Sequence, residues 1–167
     1  MKHLLEQNTN DKTGRYNMNN ENKFIQFEKP IELKDIKEIE EKFGFSLPEE
    51  VQRHYLKYNG GCPERYLYLK DDITFVVNEF LPIKYGNEKG QLEHYYKDLV
   101  LEEKIIPKYM IPFAVDPSGD VFCFSIRHDE LAAVYIWRHE KSTNSNGNLL
   151  YLCSSFEIFI NEMKEDQ

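Results

Sequence analysis

The chain has 167 residues, 14% of them aromatic, and a net charge of −8 from 29 acidic and 21 basic side chains. That length suits one domain able to bury roughly two-thirds of its unfolded surface, and so many rings exclude disorder throughout. The negative field repels phosphate backbones, which disfavours direct nucleic-acid binding and favours a cationic protein partner.

The cysteines Cys62, Cys123 and Cys153 are odd in number and far apart, without a C-x-x-C pair, so reduced thiols in a cytoplasmic protein are expected. No stretch approaches the ~20 apolar residues of a membrane span. The start, Met1-Lys2-His3-Leu4-Leu5, turns polar at once, unlike a signal peptide.

Residues 1–22 are rich in Asn, Lys, Glu and Thr and predict a flexible polar leader, followed by one domain over 23–167. Leu33, Ile36, Ile39 and Phe43 recur at helical spacing, and Gly44 follows as a stop. Ser46-Leu47-Pro48-Glu49 has the form of a capping box with Pro in the first turn. It predicts a second helix burying Val51, Tyr55, Leu56 and Tyr58 and stopping at Asn59-Gly60-Gly61.

Short strands are expected at 66–69, 73–77 and 80–83, with turns at Lys70-Asp71-Asp72 and Asn78-Glu79. Leu92, Tyr95, Tyr96, Leu99 and Val100 form a third helical stripe beginning near Gly90. Asp116-Pro117-Ser118-Gly119-Asp120 has the composition of a tight hairpin turn. It joins the apolar run ending at Val115 to the strand 121–126, which reverses at 127–130 into 132–138. After an Asn/Ser/Gly loop at 142–148 come a strand at 149–152 and a last helix. Ser154 and Glu157 are its expected capping box, and Phe156, Phe159, Ile160 and Met163 its apolar face. The order predicts an α+β fold: an antiparallel-rich sheet packed with an N-terminal helix pair and a C-terminal helix.

Chemical motifs are weak. Asp116 and Asp120 put two carboxylates on one turn, but the last ligand position of a calcium loop begun at Asp116 falls on Arg127 instead of Glu. No metal or other cofactor is expected. Cys123 and Cys153 lie in apolar strands and suit packing. Cys62 follows two glycines near His54, but no third group is indicated to orient a base. His3, His54, His94, His128 and His139 are scattered without ligand spacing. No glycine cluster has the form of a phosphate loop, and Trp137 reads as a core or sheet-face residue.

The succession of Ile36 to Phe43, Leu47-Pro48-Glu49, Tyr55-Leu56 and Asn59-Gly60-Gly61 continues in Ile111-Pro112-Phe113-Ala114 and Gly119-Asp120-Val121-Phe122-Cys123-Phe124. With Val134-Tyr135 and Ser155-Phe156-Glu157-Ile158-Phe159-Ile160, it resembles the SUKH superfamily of bacterial immunity proteins and the fungal cell-wall assembly regulator. The resemblance runs from about residue 30 to 164 and implies a non-enzymatic protein-binding domain. Its bacterial members block toxins, often nucleases, and its fungal members scaffold signalling partners. No binding residue carries over from the family.

A nuclease toxin would present a basic cleft. The acids Asp71, Asp72, Glu102, Glu103, Asp116 and Asp120, in predicted loops or strand ends, are the candidate partner contacts.

Overall fold

In the computed structural model of the chain, residues 20–140 and 148–167 are described. Residues 1–19 of the expected leader and most of the expected loop at 142–148 lie outside them. Among the described residues, a short strand β1 (Phe24–Ile25) precedes α1 (Leu33–Phe43) and α2 (Glu49–Lys57). Then come β2 (Cys62–Pro63), β3 (Leu67–Lys70), β4 (Ile73–Val76) and β5 (Glu79–Phe80). The helix α3 (Leu92–Tyr95) runs on into a π-helical segment at Tyr96–Glu102. The remaining elements are β6 (Met110–Val115), β7 (Val121–Ser125), β8 (Val134–Trp137), β9 (Leu149–Cys153) and α4 (Phe156–Glu162).

Strands β5 to β9 form an antiparallel sheet in sequence order, while β1–β2 and β3–β4 are separate antiparallel pairs. This is the α+β domain expected from the sequence. Pro112 pairs with Cys123 and Ala114 with Phe122, so Phe113 is the extra residue of a bulge in β6. Lacking an N–H, proline is tolerated at such an irregularity. The bulged Phe113 ring lies 5.1 Å from Phe80 and 5.0 Å from Phe156. Edge-to-face rings at this spacing add about 0.5–1.5 kcal/mol per pair beyond area burial. Phe122, Phe124 and Phe159 extend the cluster, all fully buried.

Both N-terminal helices form where periodicity places them, with three corrections. Leu33 and Leu56, expected to be buried, are exposed at 49% and 40%. Leu33 opens α1 and Leu56 lies off the face that Val51 and Tyr55 turn inward. Ser46 does not cap α2. Its start is set instead by Pro48, and the Leu47 N–H donates to the buried Glu40 carboxylate at 2.8 Å. Gly44, at φ 74°, makes the left-handed turn that lets the chain double back to Glu40.

The cap of α4 is Ser155, one residue later than expected, with its Oγ accepting from the Ile158 N–H. The acid at this helix start comes from another helix. Glu50 of α2 accepts from the Phe156 N–H at 2.9 Å and from the Ser155 hydroxyl at 3.2 Å. A carboxylate there satisfies an otherwise orphaned donor and complements the helix dipole.

Asn59 is fully enclosed. Its Nδ2 donates to the carbonyls of Lys29 and Ile83, and its Oδ1 accepts from the Ile83 N–H at 2.7 Å. Gly61 then passes so close to β1 that a Cβ would sit 2.6 Å from the Ile25 carbonyl oxygen. Replacing Asn59 by Ala strands three backbone groups, the two of Ile83 buried and that of Lys29 partly so, each costing about 1 kcal/mol. Urea unfolding of Asn59→Ala should therefore show a loss of about 3 kcal/mol. Asn59→Asp should be worse, because its carboxylate faces the same two carbonyls.

Candidate functional site

The six sequence-selected acids occupy three different loops. Asp71 and Asp72 form the two-residue turn between β3 and β4, at φ 48° and 63°. That is a mirror-image hairpin turn, in which Asp tolerates the left-handed backbone. Both are exposed, and neither has an ion-pair partner among the described residues. Glu102 and Glu103 end the π-helical segment. Glu102 lies 3.6 Å from Lys97, and Glu103 is exposed without an ion pair among the described residues.

Asp116 and Asp120 are engaged by neighbouring groups of the chain. Asp116 Oδ1 accepts from the backbone N–H groups of Ser118 and Asp120, both at 2.8 Å, and so builds its own hairpin. Asp120 is 8% exposed, accepts from the His139 N–H at 3.1 Å and faces His139 Nδ1 at 2.6 Å. Its carboxylate raises the His139 pKa above the usual histidine value. Among the described residues no group of three potential metal ligands comes together.

Sequence reading left unassigned a groove of about 500 Å³ where α2, α4 and residues 20–22 meet. Glu50, Arg53, His54 and Lys57 project from one face of α2, at the i, i+3, i+4, i+7 spacing that could have flagged them. Phe156, Glu157, Ile160 and Asn161 line it from α4. Asn22 anchors the third wall, with Nδ2 donating to the Arg65 carbonyl at 2.8 Å. Ion pairs ring the opening: Lys57 with Glu21 at 2.6 Å, and Arg53 with Glu157 at 3.9 Å. Such half-exposed pairs are worth at most about 1 kcal/mol and exchange readily for a partner's charges.

His54 sits at the floor, its ring 4.7 Å from Phe24, 5.2 Å from Phe80 and 5.4 Å from Phe156. His54 as a residue keeps some exposure, but its Nε2 is sealed off without a hydrogen-bond partner among the described residues. Desolvation, with a lesser push from Lys57, lowers its pKa to about 3, so the ring is neutral. Cys62 does not line this groove; its Sγ donates to Gln26 Oε1 at 3.8 Å. Burial raises the pKa of all three thiols, most strongly for Cys123, holding each in its protonated form. None of the three is disulfide-bonded.

The model of the SMI1 / KNR4 family (SUKH-1) matches residues 30–162. The chain belongs to this family, and membership fits a protein-binding role as an immunity protein or regulator. No curated protein matches the chain significantly. No helix among the described residues is long and apolar enough to cross a membrane.

The neutral imidazole has a measurable consequence. Unfolded, His54 binds a proton below about pH 6.5, whereas folded it does so only near pH 3. Its contribution to stability is thus complete above pH 6.5 and lost as pH falls toward 3. His54→Phe, which keeps a ring among Phe24, Phe80 and Phe156, should flatten the pH–stability curve in that window. The difference from wild type should approach about 1.4 kcal/mol per pH unit, read from denaturation midpoints at successive pH values.

Proposed function

We propose that the chain is an immunity protein that binds a cognate toxin domain and occludes its active surface, working in the cytoplasm without chemistry of its own. The observation that carries this reading is the family match over residues 30–162. Two further features support it. The net charge of −8 suits a toxin with a basic cleft, such as a nuclease. Asp71, Asp72 and Glu103 are exposed without ion pairs among the described residues, so they are free to meet cations of a partner. Asp116 and Asp120 contribute by shaping the hairpin that separates β6 from β7, and Glu102 remains a rim contact. The family match equally supports a regulatory scaffold with an endogenous partner, and a gene isolated from any toxin gene would favour it.

The trial is co-expression with the toxin domain encoded beside the gene. Growth should be restored, and the two chains should co-elute as a complex on gel filtration. Association should slow as salt is raised, because rim charges act mainly on the encounter rate. No rescue and no complex would overturn the proposal.

A further inference from the structure

The five-stranded sheet closes its two edges differently. At β5, the Phe80 N–H donates to the Gly61 carbonyl at 2.8 Å, so the β1–β2 pair covers that side. At the other end β9 pairs only with β8 among the described residues. The Arg138 N–H donates to the Asn148 carbonyl at 3.0 Å, fixing 138 and 148 as a hydrogen-bonded pair. With Ile136 opposite Leu150 as the next such pair, the alternation turns the backbone groups of Leu149 and Tyr151 outward. One edge group is occupied: Lys70 Nζ donates to the Leu152 carbonyl at 3.0 Å.

The flanks of this edge have the composition of a binding surface. Tyr151 is 43% exposed and meets Tyr135 edge-to-face at 5.4 Å. Lys70 Nζ lies 5.0 Å above the Tyr151 ring. Leu150 and Ile73 are also exposed, and Ile73 pairs with Lys70 in the β3–β4 hairpin. Asp71 and Asp72 follow Lys70 directly, on a turn whose backbone is fixed. Aromatic rings and aliphatic groups beside strand backbone with no further partner among the described residues, and carboxylates at one end without an ion pair among them, suit an extended segment with apolar side chains and a Lys or Arg.

Resting on the reading that the chain binds a partner protein, we propose that an extended, cationic segment of that partner adds as a further strand along the open edge of β9. Its backbone pairs with Leu149 and Tyr151, its apolar side chains lie beside Leu150 on one face of the sheet and Tyr151 on the other, and its cation meets Asp71 and Asp72. Lys70 limits the pairing at Leu152, as a charged residue on an edge commonly does.

The test uses the full chain and the toxin domain encoded beside its gene, by surface plasmon resonance and amide hydrogen exchange. Complex formation should slow exchange at Leu149 and Tyr151, whose N–H groups have no partner among the described residues. Tyr151→Pro removes an outward N–H without breaking the β8 ladder and should weaken binding about 100-fold. Asp71→Asn/Asp72→Asn keeps residues that tolerate the left-handed turn and should slow association about tenfold at low salt, with a shallower salt dependence. It guards against Tyr151→Pro simply failing to fold, which a thermal melt detects. Tight toxin binding unaffected by the Asn pair, with no protection at Leu149 and Tyr151, would overturn this inference and leave the immunity reading intact. Absence of any wild-type complex would sink both. A wild-type dimer in sedimentation that Tyr151→Pro dissociates would assign the edge to a second copy and overturn the proposal.

Discussion

The junction at Asn59 is the constraint on which the arrangement depends. One side chain joins the segment before α1, the end of α2 and the chain leaving β5, through bonds to Lys29 and Ile83. The Asn59 carbonyl also accepts from the Glu28 N–H at 2.9 Å. A buried amide of this kind is costly unless every group is matched, and here donor and acceptor are both used. Tyr55, one turn earlier, repeats the logic by donating its hydroxyl to the Leu81 carbonyl at 2.8 Å. The helix pair is thereby held to the strand edge by directional bonds, and the Phe80–Phe113–Phe156 cluster fills the space beneath with apolar surface.

Charge is divided by the same architecture into groups consumed and groups left over. Glu40, Glu50, Asp35 and Asp120 each close a backbone turn or helix start, or neutralise a neighbouring cation. Asp35, for instance, accepts from the Glu32 N–H and meets Lys84, and its pKa is lowered chiefly by that backbone bond. These acids contribute to the count of −8 yet offer little to a partner. A net charge read from sequence therefore overstates the field available for recognition. Of the six candidate acids, only Asp71, Asp72 and Glu103 are exposed without an ion pair among the described residues.

Local pattern made the skeleton legible, and long-range pairing escaped it. The spacing of Ile36 and Ile39, the Asp116–Asp120 turn and the strand alternation at β3–β4 are set by near neighbours, so sequence exposes them. Ser46 and Ser154 looked like caps because a hydroxyl preceded an acid by three residues. The structure starts α2 at Pro48, with Glu40 holding the Leu47 N–H just before it, and caps α4 with Ser155 aided by Glu50 from α2; spacing carries no trace of these glutamate partners. Asp120 was legible as a turn residue, whereas its contact with His139 across the hairpin was not. The groove residues of α2 were detectable by periodicity alone, but their meaning depended on α4 approaching the same face.

The two ends of the sheet are tied into the core unequally. The β5 end is tied to the helix pair through Gly61, Asn59 and Tyr55, and changes there propagate into the core. At the β9 end the outer side chains Leu150 and Tyr151 are exposed, and the β3–β4 hairpin reaches the Leu152 carbonyl through Lys70 and Tyr68. Substitutions on that rim remove little buried surface, so their stability cost is small. A fold that concentrates its cooperative contacts at one end can vary the other freely.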